Sequence, residues 1–240
     1  SGSLIEPRDT VRGTFNNLFI GGLGTSSGFN VCARFISFGW FNITNIVTRG
    51  IQQVDISTDP PVNDGIRIYG DGSPSEIYIR HWWAYNHAYS LRTANTISQL
   101  YLNTFNISNT RYGIVMATFI PLVAGTDANS TIGCVISNGS ITSYGSHIYL
   151  GDDNVDQNRL DNINLYVREA TYTTGGIGTT YVITGGLGNN QESNIISNIS
   201  INIEDDLVSR TSLTLIKINK QLNSIIDSVN VLLGDSTQVT

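Results

Sequence analysis

The chain has 240 residues, of which 40% are hydrophobic and 13% charged, with a formal net charge of −6. That apolar content excludes disorder, and an acidic balance without any basic run speaks against nucleic acid as a partner. Charged residues are about half as frequent as usual; 24 glycines and many Asn, Ser and Thr residues replace them, a polar but uncharged surface typical of rigid extracellular or virion β-proteins.

The opening Ser-Gly-Ser reads as a cloning scar, which predicts that the chain is a fragment of something longer. No signal peptide is visible, and no apolar run approaches the length of a membrane-spanning helix. "FNVCARFISF" (29–38) predicts a strand. "GIRIYGDGSPSEIYIR" (65–80) predicts a hairpin, two alternating runs around a Gly-Asp-Gly-Ser-Pro turn. "ISQLYLNTFNI", "YGIVMATFIPLVAG", "TIGCVIS", "GSITSYGSHIYLG", "DNINLYVREATY" and "TTYVITGG" continue as strands, at turn-to-turn spacings of roughly 8–12 residues, the rhythm of an antiparallel β-sandwich or barrel. The glycine repeats at 21–24, 175–178 and 185–188 read as turns; none lies between a strand and a helix as a nucleotide loop would.

After Leu207 the period changes. Leu215, Ile218, Leu222, Ile225, Val229 and Leu232 follow one another at alternating steps of three and four, the a/d seam of a coiled coil. Leu at a with Ile at d favours three or four strands, and Gly234 suits a C-terminal cap. The expected fold is therefore mainly β: an antiparallel barrel or sandwich over 1–206, a trimeric α-helical coiled-coil stem over 207–234, and a tail over 235–240.

Three segments carry candidate chemistry. "HWWAYNHAY" (81–89) gathers His81, Trp82, Trp83, Tyr85 and Tyr89, flat rings beside polar groups that suit sugar stacking or a membrane interface. Core packing explains the same residues, and strand alternation predicts one tryptophan inward and one outward. "ATFIPLVAG" (117–125) clusters Phe119, Ile120, Leu122 and Val123 around Pro121, which fits an apolar loop or an edge strand. "GDDNVDQNRLD" (151–161) starts with calcium-loop spacing but has Gln157 where that loop needs Gly and Ile163 where it needs Glu. Cys32 and Cys134 fit a disulfide and two buried thiols equally well, and no zinc spacing exists. Five sequons, at Asn42, Asn106, Asn129, Asn138 and Asn198, are near the chance number for this composition. No catalytic constellation, metal site or cofactor motif stands out, so a non-enzyme is expected.

"NISINIEDDLVSRTSL" runs from an alternating segment into the heptads, preceded in order by "EIYIRHWW", "ATFIPLVAGTDANSTIGCVISNGSITS" and "DNINLYVREATY". Over residues 60–230 this order resembles the larger proteolytic fragment of the rotavirus outer-capsid spike protein, a β-barrel antigen domain followed by a trimeric coiled coil. The resemblance implies a homotrimer on the virion outer surface that penetrates host membrane during entry. Phe119, Ile120, Leu122 and Val123 would be its lipid-contacting loop, Val62 a neighbouring loop, and the heptad residues its stem. The alternative is a trimeric bacteriophage tail-fibre module that binds a host receptor glycan through the aromatic cluster.

Overall fold

A computed structural model describes residues 2–21, 29–50, 64–69, 76–94, 97–116, 131–150, 155–168, 178–185, 191–204, 210–218 and 221–234. The chain opens with β1 (Gly2–Ile5), β2 (Arg8–Ile20) and the long β3 (Phe29–Arg49). Next come β4 (Asp64–Tyr69), β5 (Glu76–Tyr85), β6 (Tyr89–Ala94), β7 (Ile97–Ser98), β8 (Leu100–Thr110) and β9 (Tyr112–Val115). β10 (Thr131–Ile132), β11 (Val135–Ser143), β12 (Ile148–Tyr149), β13 (Val155–Asp156) and β14 (Arg159–Val167) follow. The last are β15 (Gly178–Gly185), β16 (Gln191–Glu192), β17 (Ile195–Ile203), β18 (Arg210–Ile218), β19 (Gln221–Leu222) and β20 (Ile225–Leu233).

Every pairing among these strands is parallel. One 15-stranded sheet runs β18-β15-β12-β9-β6-β4-β3-β5-β8-β11-β14-β17-β20, with β1 and β2 also paired to β3. Short strands β7, β10 and β13 form a separate ladder, as do β16 and β19. Strands related by one circuit of the chain are neighbours, so the chain winds as a parallel β-helix: β5, β8, β11, β14, β17 and β20 stack on one wall, and β4, β6, β9, β12, β15 and β18 on another. The long β3 bends across both walls.

These findings overturn the antiparallel barrel and the α-helical stem. β4 and β5 do not form the expected hairpin: β4 pairs with β3 and β6, and β5 with β3 and β8. Of the expected seam, Leu215 and Ile218 lie on β18, Leu222 on β19, and Ile225, Val229 and Leu232 on β20. β20 pairs in register with β17, so these residues belong to the last circuit of the same stack.

The reason is a heptapeptide that recurs once per circuit: TFNNLFI (14–20), NITNIVT (42–48), YIRHWWA (78–84), YLNTFNI (101–107), VISNGSI (135–141), RLDNINL (159–165), IISNISI (195–201) and IIDSVNV (225–231). In each of the six circuits from Asn42 to Ile201, the second and seventh residues are buried, as is the fifth except at Gly139. The fourth holds positive φ throughout: Asn17, Asn45, His81, Thr104, Asn138, Asn162, Asn198 and Ser228, all between 53° and 58°. Only Gly, Asn and Asp visit that region readily, which explains five asparagines in the column. At this bend two successive residues face outward, so the inward positions are two, five and seven. That step of three, repeated with ordinary steps of two, mimics helical spacing in the C-terminal segment.

The core is a stack of aligned columns. Phe15, Ile43, Ile79, Leu102, Ile136, Leu160 and Ile196 form one, which the exposed Ile226 continues at its end. Leu18, Ile46, Trp82, Phe105, Gly139, Ile163, Ile199 and Val229 form the next. Gly139 is required there: a Cβ would lie 2.3 Å from the Phe105 ring, which fills its place. Cys32 and Cys134 are buried and unpaired with each other, and burial pushes both thiols up to about 12.

Candidate functional site: an outward lane beside the asparagine column

The sixth residue of each heptapeptide follows the bend and points outward. In register these residues are Phe19, Val47, Trp83, Asn106, Ser140, Asn164, Ser200 and Asn230. Adjacent strands lie about 4.8 Å apart, so the column is a straight lane along the helix axis. It is apolar and aromatic at one end and made of amides and hydroxyls over the rest. It contains no charged residue.

Phe19 is 70% exposed and Trp83 37% exposed. Their rings stand two circuits apart on either side of Val47, and neither stacks on another ring among the described residues. Beside them, Arg49 and Tyr85 lie opposite each other in the next outward column. The bend that aims the lane is held by side-chain amides: Asn45 Nδ2 donates to Asn17 Oδ1 at 3.0 Å, and Asn162 Nδ2 to Asn138 Oδ1 at 2.7 Å. Asn198 Nδ2 and Ser197 Oγ donate to Asp161 Oδ1, both at 2.9 Å, and these two bonds hold its carboxyl below the usual range.

The candidate aromatic segment divides between surfaces. Trp82 is fully buried and donates from Nε1 to Thr48 Oγ1 at 3.1 Å, whereas its neighbour Trp83 faces out. Thr48 Oγ1 also lies 3.1 Å from Nε2 of the buried His87, whose pKa is lowered by burial to about 4. The hydroxyl accepts from the indole and lies within hydrogen-bond distance of the imidazole. His81 is exposed at the bend, with φ 55°. Tyr89 lies on the other wall, stacked on Tyr112 with ring centroids 4.9 Å apart. The structure thus does not unite His81, Trp82, Trp83, Tyr85 and Tyr89 in one site.

A second aromatic group, Trp40, Tyr78 and Tyr101, faces outward upstream of the bend. Tyr78 and Tyr101 stack at 4.6 Å with planes 6° apart, and Trp40 lies 6.3 Å from Tyr78. The faces of the two tyrosines are turned on each other, so this group serves mainly as a lateral clamp between circuits. Val62, Phe119, Ile120, Leu122 and Val123 lie outside the described residues. No group of three or more His, Cys, Asp or Glu that could hold a metal occurs among the described residues.

Sequence reasoning missed Phe19 and Val47, because their partnership with Trp83 exists only once the circuits are stacked. The alignable signal was the recurrence of ITN, ISN and LDN before an apolar residue. No family model, curated protein or solved structure matches the chain.

Proposed function

We propose that the chain is a glycan-binding module, in which Phe19 and Trp83 stack on sugar rings and the Asn/Ser part of the lane hydrogen-bonds their hydroxyls. The observation that carries this reading is the lane: two exposed aromatic rings continuing in register into uncharged amides and hydroxyls. A saccharide has the same two faces, apolar C–H patches and a fringe of hydroxyls, and aromatic side chains suit surfaces apolar in one part and wet in another. A receptor-binding part of a virion or tail fibre is the context this reading fits best.

The rival is membrane penetration. Its barrel and helical stem are not the architecture found, and its apolar loop lies outside the described residues. Assembly as a homotrimer is proposed separately. Ile225, Ile226, Leu232 and Leu233 on β20 are half exposed, and β20 ends the sheet with one paired edge among the described residues. An apolar unpaired edge favours association.

The test is a glycan array read with the parent and with Trp83→Ala, beside flotation on phosphatidylcholine vesicles. Discrete glycan hits lost in Trp83→Ala support the module. No glycan hit together with vesicle binding would overturn it in favour of penetration.

A further inference from the structure

On the other wall, Arg34, Arg67 and Arg92 occupy one outward column on the adjacent strands β3, β4 and β6. Their side chains are only 14%, 15% and 11% exposed. The wall turns the other way here. Cys32 and Ala33, Ser90 and Leu91, and His147 and Ile148 are successive buried pairs at the same level of their circuits. Gly65 and Gly113 share that level, where a Cβ would come within 2.7 Å of the Ser90 carbonyl oxygen and 2.5 Å of that of His147. An inward fold of the wall brings the outward columns on its two sides together. Asp64 thus ion-pairs with Arg67 three residues on, and Arg92 lies over the Tyr89 ring at 4.5 Å.

Among the described residues, the charges in this corner do not balance. Arg111 lies over Tyr112 at 5.1 Å, next to the Tyr89 ring, and makes a fourth cation. The carboxylates paired with the column are Glu6, 3.2 Å from Arg34, and Asp64, bonded to Arg67 and 3.8 Å from Arg92. Among the described residues, buried Nε donors of Arg34 and Arg92 and Nη1 of Arg111 have no hydrogen-bond acceptor, and Oδ1 of the buried Asp64 has no donor. Unsatisfied buried donors are costly, and like charges in one row repel. Tyr69, at 6.0 Å from Arg34, with Tyr89 and Tyr112 keeps the guanidinium planes in place through their ring faces. The result is a preorganised row of guanidiniums that outnumbers the carboxylates paired with it among the described residues.

We propose that this corner binds the oxyanion of an acidic glycan, a carboxylate or sulfate substituent, through Arg34 and Arg92, with Asp64 fixing Arg67 between them. Guanidinium forks match such oxyanions bidentately. The site deepens the glycan-binding reading by adding acidic saccharides to its ligands, but it lies on a different wall from the Phe19–Trp83 lane.

Affinity electrophoresis in gels containing dextran or carboxymethyl-dextran separates the two. The parent should be retarded at least tenfold more strongly, as apparent Kd, by carboxymethyl-dextran. Arg34→Gln/Arg92→Gln should lose that preference, Arg34→Lys/Arg92→Lys should keep part of it, and Arg159→Gln, an exposed arginine elsewhere, should leave it intact. Equal retardation by the two polymers would overturn the proposal without using any variant. A preference abolished equally by Arg159→Gln would also overturn it, as non-specific polyanion binding. Loss of lane binding in Trp83→Ala with the carboxymethyl preference intact would show that the corner stands apart from the lane.

Discussion

Asn45 donates from its side-chain amide to the carboxamide oxygen of Asn17, 3.0 Å away, and the two backbones share a φ of 55° and 56°. One residue type thus provides both the left-handed bend and the bond that locks neighbouring circuits at that bend. Asn138 and Asn162 repeat the arrangement at 2.7 Å. Replacing Asn162 by Ala removes the bond and leaves a left-handed backbone on a residue that resists it. The expected loss is about 2 kcal/mol, from about 1 for the bond and about 1 for the backbone. Asn162→Gly removes only the first part and should cost about half as much. Urea unfolding of both variants checks the ratio.

The Trp82–Thr48–His87 chain predicts an acid-sensitive stability. His87 carries a pKa of about 4 in the folded protein against 6.5 for the free side chain, because burial disfavours the cation. The unfolded chain therefore binds the proton first as pH falls. The contribution is complete above pH 6.5 and is lost progressively down to about 4, by about 3 kcal/mol in total. Urea midpoints measured between pH 8 and pH 4 should show this loss, and His87→Gln should flatten it. A parent profile as flat as the variant's would remove the buried imidazole from the account.

The adjacent tryptophans should respond oppositely. Trp82→Ala opens a cavity in a fully buried column and is expected to cost about 3–5 kcal/mol. Trp83→Ala touches an exposed ring and should change stability by less than about 0.5 kcal/mol, while removing glycan binding. Thermal melts and binding isotherms on the same two proteins read both effects.

Gly139→Ala should cost about 1–3 kcal/mol by overpacking, since the new Cβ meets the Phe105 ring. Phe105→Leu in the same molecule should restore part of that loss. A double-mutant cycle by urea denaturation measures the coupling.

Much of this was written in the sequence without being legible there. The β content, the alternating strands and the division of Trp82 from Trp83 follow from period-two patterning. The stacking does not, because the heptapeptides start at 14, 42, 78, 101, 135, 159, 195 and 225, with unequal intervals that hide the repeat. Even the sequons at Asn138 and Asn198 are products of it, Asn at the fourth position and Ser at the sixth. The helical reading of Leu215 to Leu232 failed because the bends at Asn223 and Ser228, with φ of 54° and 53°, insert extra residues into strand spacing. The arginine corner was invisible because Arg34, Arg67 and Arg92 meet only across successive circuits.

The most direct test of the account is a disulfide between two lane positions on the last two circuits. Ser200 and Asn230 are register partners on β17 and β20, about 4.8 Å apart, within disulfide reach. In Ser200→Cys/Asn230→Cys, mild oxidation followed by non-reducing peptide mass spectrometry should reveal one intramolecular bridge between these positions. Absence of that bridge, with the two positions alkylated separately in the folded protein, would contradict the stacked circuits and the lane built on them.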